Sequence, residues 1–136
     1  MRKTETLLSL DVGEKRIGLA IADTAVKIAI PFSTILVDGS EVKSIIEIVI
    51  KENVKILVIG FPRNQQGETT AQTRYVEKFA QQLKNIDAKV VFQDESLTSV
   101  LAEQKLIEQK RPYQKGDIDA QAAAIILQDY LEKNYR

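Results

Sequence analysis

The stretch LLSLDVGEKRIGLAIAD, residues 7–23, decides the fold. Two apolar runs flank the polar segment DVGEKR, and Gly13 supplies a tight turn between them. The runs therefore read as strands over 5–11 and 16–22, paired as an antiparallel hairpin. Asp11 closes the first strand, and Lys15 and Arg16 open the second. A charge inside such a run is costly unless it is paired, solvated or bound to a cation. Asp11 is thus either a turn residue or part of a site.

Outward from the hairpin, the apolar stretch Ile28 to Val37 contains Pro31 and reads as an edge or broken strand. Val42, Ile45, Ile46 and Val49 recur at helical spacing and predict a helix over about 40–52. KILVIG (55–60) is wholly apolar and stopped by Gly60 and Pro62, as expected of a parallel strand buried on both faces. Polar RNQQGETT is a loop. A helix over about 69–85 follows, with Val76, Phe79, Ala80 and Leu83 on one face, and AKVVFQ (88–93) is the fifth strand. Residues 98–109 read as a helix, KRPYQKG (110–116) as a basic loop, and 117–133 as a closing helix whose Ala-rich start suits close packing. This order specifies an α/β fold in one domain over 1–136. It is a mixed five-stranded sheet, order 3-2-1-4-5, flanked by helices, with the first strand central.

Composition excludes several chemistries. The chain of 136 residues is 44% hydrophobic and 28% charged, which is ordinary for a folded soluble domain. No run is long enough to span a bilayer. The basic start MRKTETLLSL is not expected to be a signal peptide, because its apolar segment is short and Asp11 interrupts it, and a cytoplasmic location is expected. With no Cys, disulfides, thiolate chemistry and cysteine-ligated zinc are ruled out. With no His, the usual general base is missing too. Any metal must be held by oxygen, which favours Mg²⁺ or Mn²⁺. Formal net charge is zero, so only local asymmetry hints at a partner. Lys105, Lys110, Arg111 and Lys115 face only Glu108 in their segment, either a solvated loop or a footprint for phosphates.

Acidic residues stand where this architecture can gather them. Asp11 ends the first strand, Asp94 and Glu95 end the fifth, and Asp117 and Asp119 begin the last helix. The ends of parallel strands meet at one sheet edge, where open α/β sheets bind ligands. Side chains alternate along a strand, so only one of Asp94 and Glu95 can share a pocket with Asp11. Asp117, directly after Gly116, fits a helix N-cap; Asp119 lies further in and is not explained that way. Clustered carboxylates repel unless divalent cations neutralise them. Such ions can activate water and stabilise the leaving oxygen of a phosphodiester, with no need for His.

With these residues in hand, the chain resembles the YqgF (RuvX) family, RNase H-like proteins described as Holliday junction resolvases and as nucleases for the precursor of 16S rRNA. The resemblance rests on four ordered motifs: LDVGEKRIGLAIAD (10–23), VIGFP (58–62) followed by NQQG, DESLTS (94–99) and KGDIDAQAAAIILQDYL (115–131). It implies an RNase H-like fold and a catalytic, metal-binding triad of Asp11, Glu95 and Asp119, with Asp94 and Asp117 in support. Lys15, Arg16, Arg63, Lys110, Arg111 and Lys115 become candidates for contacts to backbone phosphates. One residue departs from the pattern: Ser96 stands where the family usually has Arg, so Arg16 or Arg63 is the candidate to take over that charge.

The leading expectation is a Mg²⁺- or Mn²⁺-dependent endonuclease on structured nucleic acid, processing the 5′ end of pre-16S rRNA in ribosome biogenesis. A Holliday-junction resolvase for branched DNA and a non-catalytic RNA-binding assembly factor are the alternatives. The D-x-G hairpin also occurs in actin-like and sugar-kinase ATPases, but that fold needs two such domains. No membrane partner is expected. Monomer and weak homodimer both stay open, although resolving a two-fold junction would require a dimer.

Overall fold

The computed structural model describes residues 3–62, 70–95, 104–109, 112 and 114–135, with the backbone alone at Glu95. The elements are β1 (Thr6–Val12), β2 (Arg16–Asp23), β3 (Ile30–Leu36), α1 (Glu41–Lys51), β4 (Val54–Pro62), α2 (Ala71–Gln81), β5 (Lys89–Glu95) and α3 (Lys115–Asn134). Residues 104–108 are helical as well, the described part of the helix expected over 98–109.

The hairpin forms as its sequence requires. The Gly13 N–H donates to the Arg16 carbonyl at 3.0 Å. A Cβ on Gly13 would lie 2.7 Å from that same oxygen, so the turn needs glycine. β1 pairs antiparallel with β2 from Thr6↔Asp23 to Val12↔Ile17 and parallel with β4 on its other side. β5 extends the parallel half, ending at Pro62↔Glu95. The sheet order is β3-β2-β1-β4-β5, the expected 3-2-1-4-5.

Because β1 is central, its side chains feed two cores in alternation. Leu8, Leu10 and Val12 join Ile17, Leu19, Leu57 and Ile59 beneath α1 and α2, which contribute Ile45, Val49, Val76 and Phe79. Leu7 joins Ala20, Ala22, Ile56 and Val58 beneath α3, which contributes Ala123, Ala124, Ile126, Leu127 and Leu131. The small residues of the α3 start let its backbone come close to β2.

Several boundaries move. β4 continues through Gly60 to Pro62, because β5 keeps pairing with it to that point. Pro31 does not break the third strand; β3 runs through it at the sheet edge, with an irregularity beside Ala20↔Pro31. α3 begins at Lys115 rather than at 117, and Gln114, in extended conformation, is its N-cap. Asp117 is therefore not the cap. It stands three residues into the helix and its carboxylate accepts from the Gln114 N–H at 2.9 Å. Gly116 does not stop the helix, because its first turn is pinned to β3: the Thr34 hydroxyl donates to the Gly116 carbonyl at 2.5 Å. Among the described residues, no helix is long and apolar enough to cross a membrane.

Candidate active site

Alternation along β1 sends Leu7, Ser9 and Asp11 toward α3. Leu7 sits in the core there, and the buried Ser9 hydroxyl donates to the Ala123 carbonyl at 2.7 Å. Asp11 is paired across the hairpin with Gly18, whose missing side chain would occupy the same face. A Cβ at Gly18 would fall 2.0 Å from the Asp119 carbonyl oxygen and 2.8 Å from the Ala120 nitrogen. The α3 backbone thus rests directly on Gly18, and this contact seats Asp119 beside Asp11.

The electrostatics follow from that crowding. Burial first, and the neighbouring charge of Asp119 second, push the Asp11 carboxyl from 3.8 up to about 7. Asp119 in turn is held by Arg16, whose Nε donates to Oδ2 at 2.6 Å. This pair is half-buried, with side-chain exposures of 33% for Arg16 and 22% for Asp119. Arg16 opens β2 on the same face as Gly18, so one short strand provides both the seat for α3 and the cation that meets it.

Register separates the two positions at the end of β5. Val91 packs on the α3 core and Val90 on the opposite one. Alternation therefore puts position 95 on the face of Asp11 and Asp94 on the other. The side chain of Glu95 lies outside the described residues, as do Ser96, Arg63, Lys110 and Arg111. Among the described residues, no group of three acids is arranged to hold a metal; the described carboxylates at the site are Asp11 and Asp119.

The two remaining candidate cations lie at the rim. Lys15 is exposed in the hairpin turn, and its carbonyl accepts from the Val37 N–H at 2.9 Å. Lys115 is exposed in the first turn of α3, four residues before Asp119 and hence on the same helix face. Gln72 was not singled out by its sequence context. Its Nε2 donates to the Val12 carbonyl at 3.0 Å, tying the start of α2 to the end of β1 one residue beyond Asp11. A cleft of about 490 Å³, lined by residues including Pro31, Leu106, Asp117 and Gln121, contains neither Asp11 nor Asp119.

Two carboxylates forced together, one of them desolvated enough to hold its proton near neutrality, form a hard oxygen donor set that a divalent cation would relieve. In a chain without His or Cys, these residues fit Mg²⁺ or Mn²⁺.

Comparison with known proteins points the same way. The profile of the RuvX family, described as Holliday junction resolvase, matches residues 5–133. Proteins named "Putative pre-16S rRNA nuclease" are similar along nearly their whole length. One from Sulfurihydrogenibium is 38% identical, covering 93% of this chain and 90% of its own. One from Chloroflexus aurantiacus is 41% identical, covering 94% and 87%. Among solved structures, the Fowlpox virus resolvase bound to Holliday junction DNA superposes with a TM-score of 0.59 at 14% identity, over 96% of this chain and 99% of that one. T. thermophilus RuvC with its junction substrate gives 0.55 at 13%, over 95% of each. At such identities the structures speak for the fold, which is RNase H-like with its five strands in the order found here. On the strength of the profile match and of these relatives, the chain belongs to the RuvX family.

Proposed function

We propose that this chain is a divalent-metal-dependent endonuclease that trims the 5′ end of the 16S rRNA precursor in the cytoplasm. The observation that carries the reading is the seating of Asp119 against Asp11 over Gly18, with Asp11 pushed to about 7 by burial and by its neighbour. Relatives at about 40% identity, named for pre-16S rRNA, favour RNA over branched DNA as the substrate.

Asp11, Glu95 and Asp119 would hold Mg²⁺ or Mn²⁺. A divalent ion bound there supplies an activated water and charge stabilisation at the leaving oxygen of the phosphodiester. The chain's own residues prepare that chemistry. Gly18 brings the two aspartates together, and Arg16 fixes the Asp119 carboxylate through one N–H. Its remaining guanidinium donors, which bond no other described residue, would meet a non-bridging phosphate oxygen. Lys15 and Lys115, with Arg63, Lys110 and Arg111, would neutralise flanking phosphates and position the strand without reading its sequence.

The test is cleavage of a 16S precursor carrying its 5′ extension, and of four-way DNA junctions, with Mn²⁺ or with EDTA. Metal-dependent cutting of the RNA is expected, and Asp11→Asn should abolish it while leaving the circular dichroism spectrum unchanged. A folded Asp11→Asn protein as active as the parent overturns the residue assignment. Cutting of junctions alone replaces RNA processing with the resolvase activity after which the family is named. Tight RNA binding with no cleavage in any metal reduces the protein to an assembly factor.

A further inference from the structure

Three polar side chains are buried among the described residues, and two of them have an evident use. The Ser9 hydroxyl donates to the Ala123 carbonyl and the Thr73 hydroxyl to the Pro62 carbonyl. The third, Gln121, is only 8% exposed, and among the described residues its Oε1 has no hydrogen-bond partner. It interrupts the run AQAAAIIL (120–127) of α3, where an apolar side chain would avoid the cost of a buried, unmatched carbonyl. Such a group marks a place where something outside the fold supplies the donor.

Gln121 lines the cleft of about 490 Å³ that contains neither Asp11 nor Asp119, and Pro31, Leu106 and Ala120 give that cleft apolar walls. Asp117 lines it too, one helical turn before Gln121 on the same face of α3. Among the described residues, the Asp117 carboxylate is engaged at Oδ2 alone, by the Gln114 N–H. Gln109 adds an amide, which donates and accepts alike and so favours neither. Apolar walls with a few convergent polar groups suit a small flat ring, and the excess of acceptors calls for a ring that carries N–H donors. Asp117 opposes an anion inside the cleft. Outside it, exposed Lys105 directly precedes Leu106, and exposed Lys115 lies two residues before Asp117, so phosphates can be met on either side of the ring.

We infer that this cleft takes one base of the RNA strand, a base with an amino group on its pairing edge, and that Gln121 Oε1 is the acceptor that selects it. Adenine and cytosine present such an amino donor, as does guanine. Uracil has one N–H set between two carbonyls, which would face the acceptors of the cleft and leave Gln121 unmatched. The inference rests on the nuclease reading and adds a specificity residue to it, since contacts to phosphates alone carry no sequence information. Asp119 is two residues from Gln121 and hence on a different side of α3, so the base that is read flanks the cut across the helix.

Binding of short single-stranded oligo(A), oligo(C) and oligo(U) RNAs in EDTA, followed by fluorescence anisotropy, tests the inference without any cleavage. The wild type should bind oligo(A) and oligo(C) about tenfold more tightly than oligo(U). Gln121→Met, close in volume but without the acceptor, should bring the first two down to the affinity for oligo(U) and leave oligo(U) unchanged. Gln121→Glu keeps an acceptor in place and should keep the preference for A and C, whatever its added charge does to all three affinities. Thermal melts show that both variants are folded, and Gln121→Met, relieved of an unmatched carbonyl, should melt no lower than the wild type. A wild type that binds all three RNAs alike or not at all, a preference that survives Gln121→Met, or one that Gln121→Glu fails to keep overturns the inference. Metal-dependent cutting of the 16S precursor by the same wild-type protein would leave the nuclease reading standing in each of those cases. No binding together with no cutting would withdraw that reading as well.

Discussion

Asp11 is the residue at which the site's electrostatics can be read most directly. Its carboxyl ordinarily titrates near 3.8 and in the fold is pushed to about 7. The folded chain therefore keeps a proton that the unfolded chain loses between those values. Stability from protonated Asp11 is fully present below about pH 4 and is lost as pH rises through 7. Above that, the metal-free protein carries a desolvated carboxylate beside Asp119. Asp11→Asn removes this cost, so in EDTA the variant should exceed the wild type by up to about 4 kcal/mol at alkaline pH, at about 1.4 kcal/mol per pKa unit. The two should converge below pH 4. Melting curves across pH check this; a variant no more stable than wild type at pH 8 would mean that Asp11 is not crowded. Arg16 is the counterpart. Arg16→Gln leaves Asp119 without its cation, and for a pair this exposed the loss should be about 1 kcal/mol. Saturating Mn²⁺ should narrow that deficit, because a bound cation takes over the neutralisation. A deficit unchanged by metal would show that Arg16 serves only as a clamp between β2 and α3.

Among elements, the contact of α3 with β2 positions everything else, and it depends on an atom that is not there. Gly18→Ala would put a Cβ 2.0 Å from the Asp119 carbonyl, against backbone that cannot swing aside as a flexible side chain would. The helix must lift off the sheet, at a cost of about 3 kcal/mol or more. Urea denaturation should report that loss, together with the disappearance of cleavage. Ser9→Ala is the milder neighbour. It removes one buried hydrogen bond, to the Ala123 carbonyl, and should cost about 1 kcal/mol. These elements were legible to different degrees. The hairpin follows from local apolar pattern and one turn glycine, and β4 from its apolar run, although pairing with β5 carries it past the expected stop at Gly60. The start of α3 does not follow in this way, because Gly116 looks like a breaker in isolation. The Thr34 bond that holds the first turn to β3 comes from a residue 82 positions away. Asp117 moved with it, from cap to third residue of the helix.

At the scale of the molecule, the candidate site was legible as residue types and not as geometry. A chain without His or Cys leaves carboxylates as the metal donors, and strand ends name Asp11 and the β5 acids. That Asp119 meets Asp11 depends on where the α3 axis crosses the sheet, a position set jointly by Gly18, Ser9 and Thr34. No local pattern encodes such a crossing. Arg16 was a candidate to stand in for the charge absent at Ser96, but that the carboxylate it meets is Asp119 was hidden for the same reason. Net charge gives the last prediction. With 19 basic and 19 acidic residues, the molecule as a whole exerts no long-range pull on a polyanion. Affinity for nucleic acid must then come from the few cations around the site, each releasing about one counterion on contact with a phosphate. Binding of a catalytically silent Asp11→Asn protein to precursor RNA, followed by fluorescence anisotropy over a range of salt, should give a log–log slope that counts those contacts. Lys15→Ala and Lys115→Ala should each lower the slope by about 1 while weakening binding to all sequences alike. Lys43→Ala, on the exposed face of α1 beneath the opposite side of the sheet, should leave the slope unchanged. Equal slopes in all three variants would show that the nucleic acid runs over another surface, whatever becomes of the carboxylates.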